Sequence, residues 1–575
     1  MGFTRAPEDR PTPSQVYNYR IYLLTFISCL GSWMFGYNNG VIAGVLVLPS
    51  FIRDFHLPES GTSAYNNIIE NIVSLLQIGG LCGAMATFPC TKYYGRRIAL
   101  AVAAAVYLLG ALLQTFSKDH LPMMYAGRLI TGLGTGSVTV TVPLYIAELS
   151  PPSIRGSLVG IYEINNQLSS LMGYWCNYIV NEYIPSSQTR QWQIPLAMQC
   201  IPSSLLILAS LLILPESPRF LVKKGKEAKA RKVLAFVRHL EQEDEYINLE
   251  MEEIVEAMQR QDHPTPVPVG GVERGAGKGM LGFGLWRELW WKGNRNRVVI
   301  GLGLMVGQNL TGINGMNFYT PEIYRSIGFN GTKLVLLASG MYALVKTIAT
   351  ILALVFFIDR AGRRKLLLAS SVGTALALWY IGAFVTAKHI DITQQTQERS
   401  VAGWVAIVCV YIYAASFSIA WNGVVWVYCA EIFPSRIKEL AVCLTTASQW
   451  LSQFAVARAS PSMLSSLHGG FFFFFAACIT VMGVLVYFVV PETKGRTLER
   501  MDEVFGTAYG DLVSVELGDY RRERGVVGGR VREEGKSVVV VGGSGNYNSN
   551  GLSGEVVRSD GMEIVEVMDG PDTEV

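Results

Sequence analysis

Short charged phrases separated by long apolar runs occur twice in this chain, in the same order. Tyr94-Gly95-Arg96-Arg97 returns as Ala361-Gly362-Arg363-Arg364, and Ala147-Glu148 with Arg155 returns as Ala430-Glu431 with Arg436. Pro215-Glu216-Ser217-Pro218-Arg219 returns as Pro491-Glu492-Thr493-Lys494-Gly495-Arg496. The offsets from Gly95 to Gly362, Glu148 to Glu431 and Pro215 to Pro491 are 267, 283 and 276 residues. Near-equal offsets describe a duplicated module. In an apolar chain, duplication points to two similar bundles that rock about a site held between them.

Half the residues are hydrophobic and 16% are charged, with the charges clustered instead of spread at the period a soluble surface needs. Runs of about 20 apolar residues, enough to cross a hydrocarbon core of roughly 30 Å, recur throughout. We place spans near 21–46, 68–88, 98–117, 124–146, 157–180, 193–214, 297–319, 334–357, 366–387, 401–427, 439–457 and 469–490. The expected fold is all-α: a polytopic membrane protein of twelve transmembrane helices in two six-helix bundles related by a pseudo-two-fold axis. The second span is the least typical together with the eleventh, since it opens on Asn66, Asn67, Glu70 and Asn71 and the eleventh is rich in Ser, Thr and Gln.

Short cytosolic loops collect Lys and Arg. Arg96, Arg97, Arg155, Arg363, Arg364, Lys365, Arg436 and Lys438 all follow even-numbered spans. Both termini and the central loop are therefore expected on the cytosolic side, which divides the chain into 1–20, a first bundle 21–214, a linker 215–296, a second bundle 297–490 and a tail 491–575. The sequon Asn330-Gly331-Thr332 falls in an expected external loop, whereas Asn309-Leu310-Thr311 lies within a span. The first apolar run is too long for a cleavable signal and follows Arg5, Arg10 and Arg20, so the first span doubles as the targeting signal. The expected location is the plasma membrane.

The nine cysteines, among them Cys29, Cys82, Cys409 and Cys478, lack metal-ligand spacing and read as small packing residues, with no disulfide framework and no metal. A net charge of +3 gives no reason to expect nucleic acid. In the linker, a helical stretch from about Lys226 to Gln261 precedes a Pro and Gly segment from Pro264 to Gly277. From Ala508 onward no span-length apolar run occurs, so the tail is expected to be largely disordered. The Phe471 to Phe475 run points all round a helix and reads as lipid-facing packing.

Each charged phrase sits at the cytosolic end of a span, where Arg and carboxylate can pair across helices without entering hydrocarbon. Such pairs suit a gate that closes the cytosolic mouth and separates when the site turns inward; the plainer reading is topology marking. The same phrases carry a resemblance. With Gly127-Arg128, Gly132, Gly134 and Gly136, with Pro143-Leu144-Tyr145, Glu148 and Arg155-Gly156, with PESPRFL at 215–221, Asp359-Arg360-Ala361-Gly362-Arg363-Arg364 and PETKGRTLE at 491–499, the chain resembles the sugar porters of the major facilitator superfamily over roughly residues 20–506. That resemblance assigns the gate to Arg96, Arg97, Glu148, Arg155, Glu216, Arg219, Arg363, Arg364, Glu431, Arg436 and Glu492. Lys92 stands where the family's first-half motif has Asp, while Asp359 keeps the second-half version.

A polyol presents hydroxyls that donate and accept, so its pocket needs side-chain amides beside an aromatic face. The fifth span offers Asn165, Asn166 and Gln167, the seventh Gln308, Asn309, Asn314 and Asn317, and the eleventh Gln449 and Gln453. Those of the seventh reach one face only if that helix is bent or broken, which Gly307, Gly312 and Gly315 permit. The alternative for any one amide is interhelical packing, worth about 0.6 kcal/mol. The resemblance assigns sugar contacts to Gln167, Gln308, Asn314 and Trp426, with Asn309 replacing a second Gln and Gln449 replacing an Asn. Trp421-Asn422-Gly423 stands where a Gly-Pro hinge is usual, Ser418 at a position acidic in some relatives, and Thr347 at an Asn position, with Lys346 beside it. A lysine at that depth either serves the cargo, pairs internally or snorkels.

Proton-coupled relatives carry a carboxylate in the first span; here Phe35-Gly36-Tyr37 is followed by Asn38. An amide does not titrate, so facilitated diffusion is expected, leaving Arg128 near Glu163 or other polar groups and Glu163 as a carboxylate able to take over coupling. The expected function is alternating-access transport of a monosaccharide, hexose or pentose, by a chain working as a monomer in the lipid bilayer. The alternatives are an anionic polyol acid such as quinate or a uronate, held by Lys346, and a non-transporting sugar sensor signalling through the 508–575 tail. No nucleophile and base pair and no Gly-Lys-Ser/Thr loop point to an enzyme, an ATP-driven pump or a cofactor.

Overall fold

The computed structural model describes residues 12–59, 62–262, 286, 288–291, 294–328, 331–357, 361–388, 401–434, 437–492 and four short strands between 531 and 567. It divides into two units, Met1–Arg496 and Thr497–Val575.

Among the described residues of the first unit, nine helices are long and apolar enough to cross a membrane. They are the second to fourth, sixth to tenth and twelfth of the expected spans. The other three are present as helices that fail that test for visible reasons. The first is divided at Cys29 into Tyr19–Ser28 and Leu30–Val45. The fifth, Arg155–Tyr183, carries Glu163, Asn165, Asn166, Gln167 and Asn177, and the eleventh, Lys438–Leu467, carries Gln449, Gln453 and Arg458. A helix that lines a polar interior is less apolar than one facing lipid on most sides.

The pairwise packing repeats under exchange of the halves. The third span packs on the fourth as the ninth does on the tenth, the third on the sixth as the ninth on the twelfth, and the first on the fifth as the seventh on the eleventh. The two seams between halves, second with eleventh and fifth with eighth, are likewise each other's images. Twelve helices in two related bundles satisfy this pattern. Glycines allow the closest approach: a Cβ on Gly136 would lie 2.0 Å from the Gly80 carbonyl oxygen, so the second and fourth spans meet backbone to backbone.

In the second half three spans depart from a continuous α-helix among the described residues. The seventh runs Asn294–Leu310, then Ile313–Phe318, because Gly312 takes φ 85, a left-handed conformation open to glycine at no steric cost. The tenth breaks between Val401–Ile419 and Val424–Glu431, at Trp421-Asn422-Gly423. The eighth, Thr332–Leu352, ends in a π turn at Ala353–Phe357. The Phe471 to Phe475 run departs from the lipid-facing expectation. Phe471, Phe472 and Phe475 are buried, and Phe475 and Phe471 cover Gly312 and Gly315, filling the space the missing side chains leave.

The linker forms Pro218–Lys223, Glu227–Arg238 and Glu245–Asp262, closed over a small core of Leu221, Leu234, Ile247 and Met251. Fully buried Arg238 fixes this pad: it donates to Glu250 at 2.6 and 2.9 Å and to the Leu149 carbonyl at the end of the fourth span at 2.7 Å. In the second unit β1 (Val531–Glu533), β2 (Lys536–Val541), β3 (Val556–Ser559) and β4 (Met562–Val567) form an antiparallel sheet ordered β1-β2-β4-β3. Composition led us to expect no folded element there. The physical signal is the Val538 to Val541 run and Ile564, Val565 and Val567, with Asp560-Gly561, a two-residue hairpin dipeptide, in the sequence joining β3 to β4.

Candidate functional site

Polar side chains of both halves converge midway along the seams. On the fifth span, Gln167 Nε2 donates to Glu163 Oε1 at 2.7 Å and Asn166 Nδ2 approaches the same carboxylate at 3.3 and 3.4 Å. Across the seam, Asn422 Nδ2 donates to Glu163 Oε1 at 2.7 Å from the interruption in the tenth span. Gln308 Nε2 holds that interruption by donating to the carbonyls of Trp421 and Asn422 at 2.7 and 3.1 Å. Thr347 Oγ1 bridges the halves as well, donating to the Gln167 carbonyl at 3.2 Å.

Two of the expected sugar contacts keep acceptors in reserve. Gln308 Oε1 and Gln449 Oε1 are buried without a hydrogen-bond partner among the described residues. Leaving a buried acceptor unmade costs about 1–3 kcal/mol, which a cargo hydroxyl would recover. Gln449 Nε2 donates to Gln453 Oε1 at 3.1 Å, and Trp426 is half-buried on the tenth span. Asn309 is different: its amide nitrogen serves the Met305 and Gln449 carbonyls, and its oxygen accepts from Asn314. It therefore braces the broken seventh span. Thr347, which also returns its hydroxyl to the Ala343 carbonyl at 2.8 Å, does comparable work between the fifth and eighth spans.

Lys346 is buried beside this cluster. Its Nζ donates to Asn317 Oδ1 at 3.3 Å, an oxygen that also accepts from the Tyr342 hydroxyl at 3.0 Å, and it lies 6.0 Å from the Phe417 ring centre. Among the described residues it has no carboxylate within ion-pair distance, although Glu163 is within electrostatic range. Asn38 and Arg128 meet elsewhere: Arg128 is fully buried, with Nη1 donating to Asn38 Oδ1 at 2.7 Å and Nε to the Ile72 carbonyl at 2.9 Å. Of the surroundings the sequence left open for Arg128, the polar ones hold it.

The duplicated phrases fold into duplicated geometry. Glu216 Oε1 accepts from the backbone N–H groups of Arg96 and Arg97 at 2.9 and 3.3 Å. In the second half Glu492 accepts from Arg363 and Arg364 at 2.8 and 3.1 Å. Each carboxylate thus caps the positive end of a helix. Burial pushes the Glu216 carboxyl above the usual range, opposed by the N–H bonds from Ser217, Arg96 and Arg97. Arg97 reaches the carbonyls of Ser210 and Leu211, and Arg364 that of Tyr487; the Tyr145 hydroxyl donates to the Pro215 carbonyl and the Tyr428 hydroxyl to that of Pro491. Arg96 also pairs with Glu148 at 2.7 Å, both nearly sealed from solvent. Arg155 neighbours Arg219 and Arg238, with Glu250 and Glu253 of the linker opposite. Asp359, Arg436 and the Glu431 side chain lie outside the described residues, as does Asn330 of the sequon.

Sequence reasoning gave Glu163 only a reserve role and passed over Asn422 as a polar contact. It also missed a polar latch at the far end of the second–eleventh seam. There Ser462 donates to Glu70, Arg458 donates to Asn71 at 2.5 Å and lies 3.6 Å from Glu70, and Asn66 donates to Ser465 at 3.1 Å. Half of the signal was present: Asn66, Glu70 and Asn71 are among what made the second span untypical, whereas Arg458, Ser462 and Ser465 lie beyond the 439–457 placed for the eleventh.

The family model described as "Sugar (and other) transporter" matches residues 24–505. The chain belongs to the sugar transporter family of the major facilitator superfamily. Among curated members of that family it is similar to the "Probable quinate permease" of Aspergillus niger, 37% identical over 514 residues covering 88% of this chain and 92% of that protein. It is 36% identical to the "Quinate permease" of Emericella nidulans over 511 residues, 88% of this chain and 92% of the relative. Among solved structures it resembles the proton:xylose symporter XylE bound to 6-bromo-6-deoxy-D-glucose, with TM-score 0.68 and 26% identity over 85% of this chain and 99% of that one. The inward open conformation of XylE from E. coli gives TM-score 0.64 at 25% identity over 84% and 99%. The protein is a multi-pass membrane transporter of this family, and the family's cargo class is a small molecule.

Proposed function

We propose that this transporter carries a hydroxylated ring bearing a carboxylate, of the quinate or uronate kind, by alternating access between its two halves. The observation that carries this reading is Lys346: a buried ammonium at the seam that bonds to one amide oxygen and has no carboxylate at ion-pair distance among the described residues. Burying a cation without a carboxylate in contact is costly, and an anionic cargo that reaches Lys346 relieves that cost on arrival. The similarity to fungal quinate permeases favours the same class. Gln167, Gln308, Asn314, Gln449 and Trp426 then serve the hydroxyls and the ring. The second reading, a neutral hexose or pentose, is favoured by the likeness to the xylose symporter and by the unpartnered oxygens of Gln308 and Gln449. In either case we assign the gate to the capped, duplicated phrases, with both termini in the cytosol, the plasma membrane as location and the monomer as working unit.

Lys346→Ala separates the two readings. In cells lacking their own uptake systems, quinate uptake is expected to fall about tenfold or more, the loss of roughly 1.4 kcal/mol or more of binding, while any uptake of glucose or xylose largely survives. Equal loss of both, or survival of quinate uptake, would reject the acid. Asn422→Ala removes the bond to Glu163 across the seam. It is expected to lower the uptake rate of whichever cargo is carried by about threefold to tenfold, the scale of a net hydrogen bond of about 0.5–1.5 kcal/mol, read as initial rates at matched protein level.

A further inference from the structure

Glu163 is a carboxylate at the centre of a site whose other polar groups are amides, hydroxyls and one ammonium. It lies well inside the fifth span and is half-buried rather than sealed. Oε1 takes the two 2.7 Å bonds, from Gln167 of its own helix and from Asn422 of the opposite half. Oε2 takes a contact from Asn166 at 3.4 Å, so a proton can sit on Oε2 without disturbing the bonds at Oε1.

The groups facing it are few in kind. Its own helix supplies Tyr162, Asn166 and Gln167. From the tenth span come Asn422 and Gly423, where a Cβ would lie 3.9 Å from the Glu163 side chain. The first span brings Ser32 and Trp33, which bond to the Tyr162 carbonyl and Asn165. Arg128 of the fourth span is not among them, since it is engaged with Asn38 and the Ile72 carbonyl. The eighth span supplies Lys346, the charged neighbour.

We infer that Glu163 is the proton carrier of this transporter, coupled to cargo through competition for Lys346. With the site empty, Lys346 is the one cation set beside Glu163 among the described residues, held on Asn317 of the seventh span while its neighbour Thr347 bonds to the Gln167 carbonyl. When an anionic cargo takes Lys346, that cation no longer serves Glu163, and a proton from water adds to Oε2 to give the neutral acid. Cargo anion and proton cross together with no net charge moved by the pair. When the cargo leaves Lys346 on the other side, the proton returns to water. The coupling is reciprocal, since whatever the cargo does for proton binding the proton does for cargo binding. Asn38 cannot perform this step, so the facilitated diffusion expected from that position is replaced by symport. The inference rests on the acidic cargo proposed above.

The test uses the full chain in proteoliposomes with quinate as probe, an external pH dye, and exchange of labelled quinate as the measure of carriage without a gradient. The wild type is expected to alkalinise the outside on addition of quinate and to accumulate quinate when the outside is acidic. Glu163→Gln is expected to lose both to background, and the quinate exchange it retains, at whatever rate, is expected to become independent of pH, because the amide oxygen can accept both bonds made to Oε1 but the side chain cannot take up a proton. Quinate exchange by the wild type without proton uptake overturns the inference alone, as does accumulation by Glu163→Gln. Loss of exchange in Glu163→Gln also counts against it, since it makes Glu163 a contact for cargo or structure. Exchange of xylose or glucose but not quinate overturns the acidic cargo and, with it, the competition for Lys346.

Discussion

Alanine at Gly95 or at Gly362 is expected to reduce transport to background. Both glycines take left-handed conformations, φ 94 and φ 88, just before a span begins. A Cβ at Gly95 would lie 2.5 Å from Glu216 Oε2, and one at Gly362 would lie 2.7 Å from Glu492 Oε2. The methyl group would therefore force a strained backbone, about 1–3 kcal/mol. It would also push away the carboxylate that caps the helix, about 1 kcal/mol more. Together these reach a factor of about thirty to a thousand. The measurement is initial uptake at matched surface expression. Near-normal uptake by Gly95→Ala would show that the capped turn marks topology and does not take part in gating.

Glu148→Gln is expected to have an effect of the same order by a different route. Arg96 and Glu148 pair at 2.7 Å with side chains only 4% and 6% exposed. Removing one partner of such a pair strands the other charge, typically at about 3–5 kcal/mol, whereas replacing both by apolar residues is often neutral. Glu148→Gln should therefore lower both thermal stability in detergent and transport. The double variant Arg96→Met with Glu148→Met should recover the stability. If the pair belongs to the gate, transport stays low in the double variant; if it only holds the bundle together, transport returns along with stability.

The duplicated phrases were the most legible part of the chain because their residues act locally. A glycine, two arginines and a later Pro-Glu form the same capped corner in each half, so the pattern could be read from one dimension. The spans were legible where they face lipid. The sequence marked the second and eleventh as the least typical; in the structure it is the fifth and eleventh whose polar faces dilute the apolar signal, while the first is divided at Cys29. The partnerships of the centre were hidden, since Glu163 and Asn422 are 259 residues apart and nothing local marks them as a pair. Asn309 and Thr347 were assigned to cargo by resemblance, but their hydrogen bonds go mainly to backbone and to Asn314. The phenylalanine run was misjudged because its partners, Gly312 and Gly315, leave hollows that only the folded chain reveals.

The two seams between the halves are images of one another, yet they are closed at the far end by different means. On one side Glu70, nearly sealed, holds Arg458 and Ser462; on the other Lys333, largely open to water, reaches Glu182 at 2.9 Å. Counter-ions weaken an exposed pair and hardly touch a sheltered one, because the Debye length shrinks to about 3 Å at 1 M salt only where water can enter. Raising ionic strength would thus loosen the Lys333 line more than its twin, where Glu70 is sheltered although Arg458 is partly open, so that a symmetric scaffold yields lopsidedly in brine.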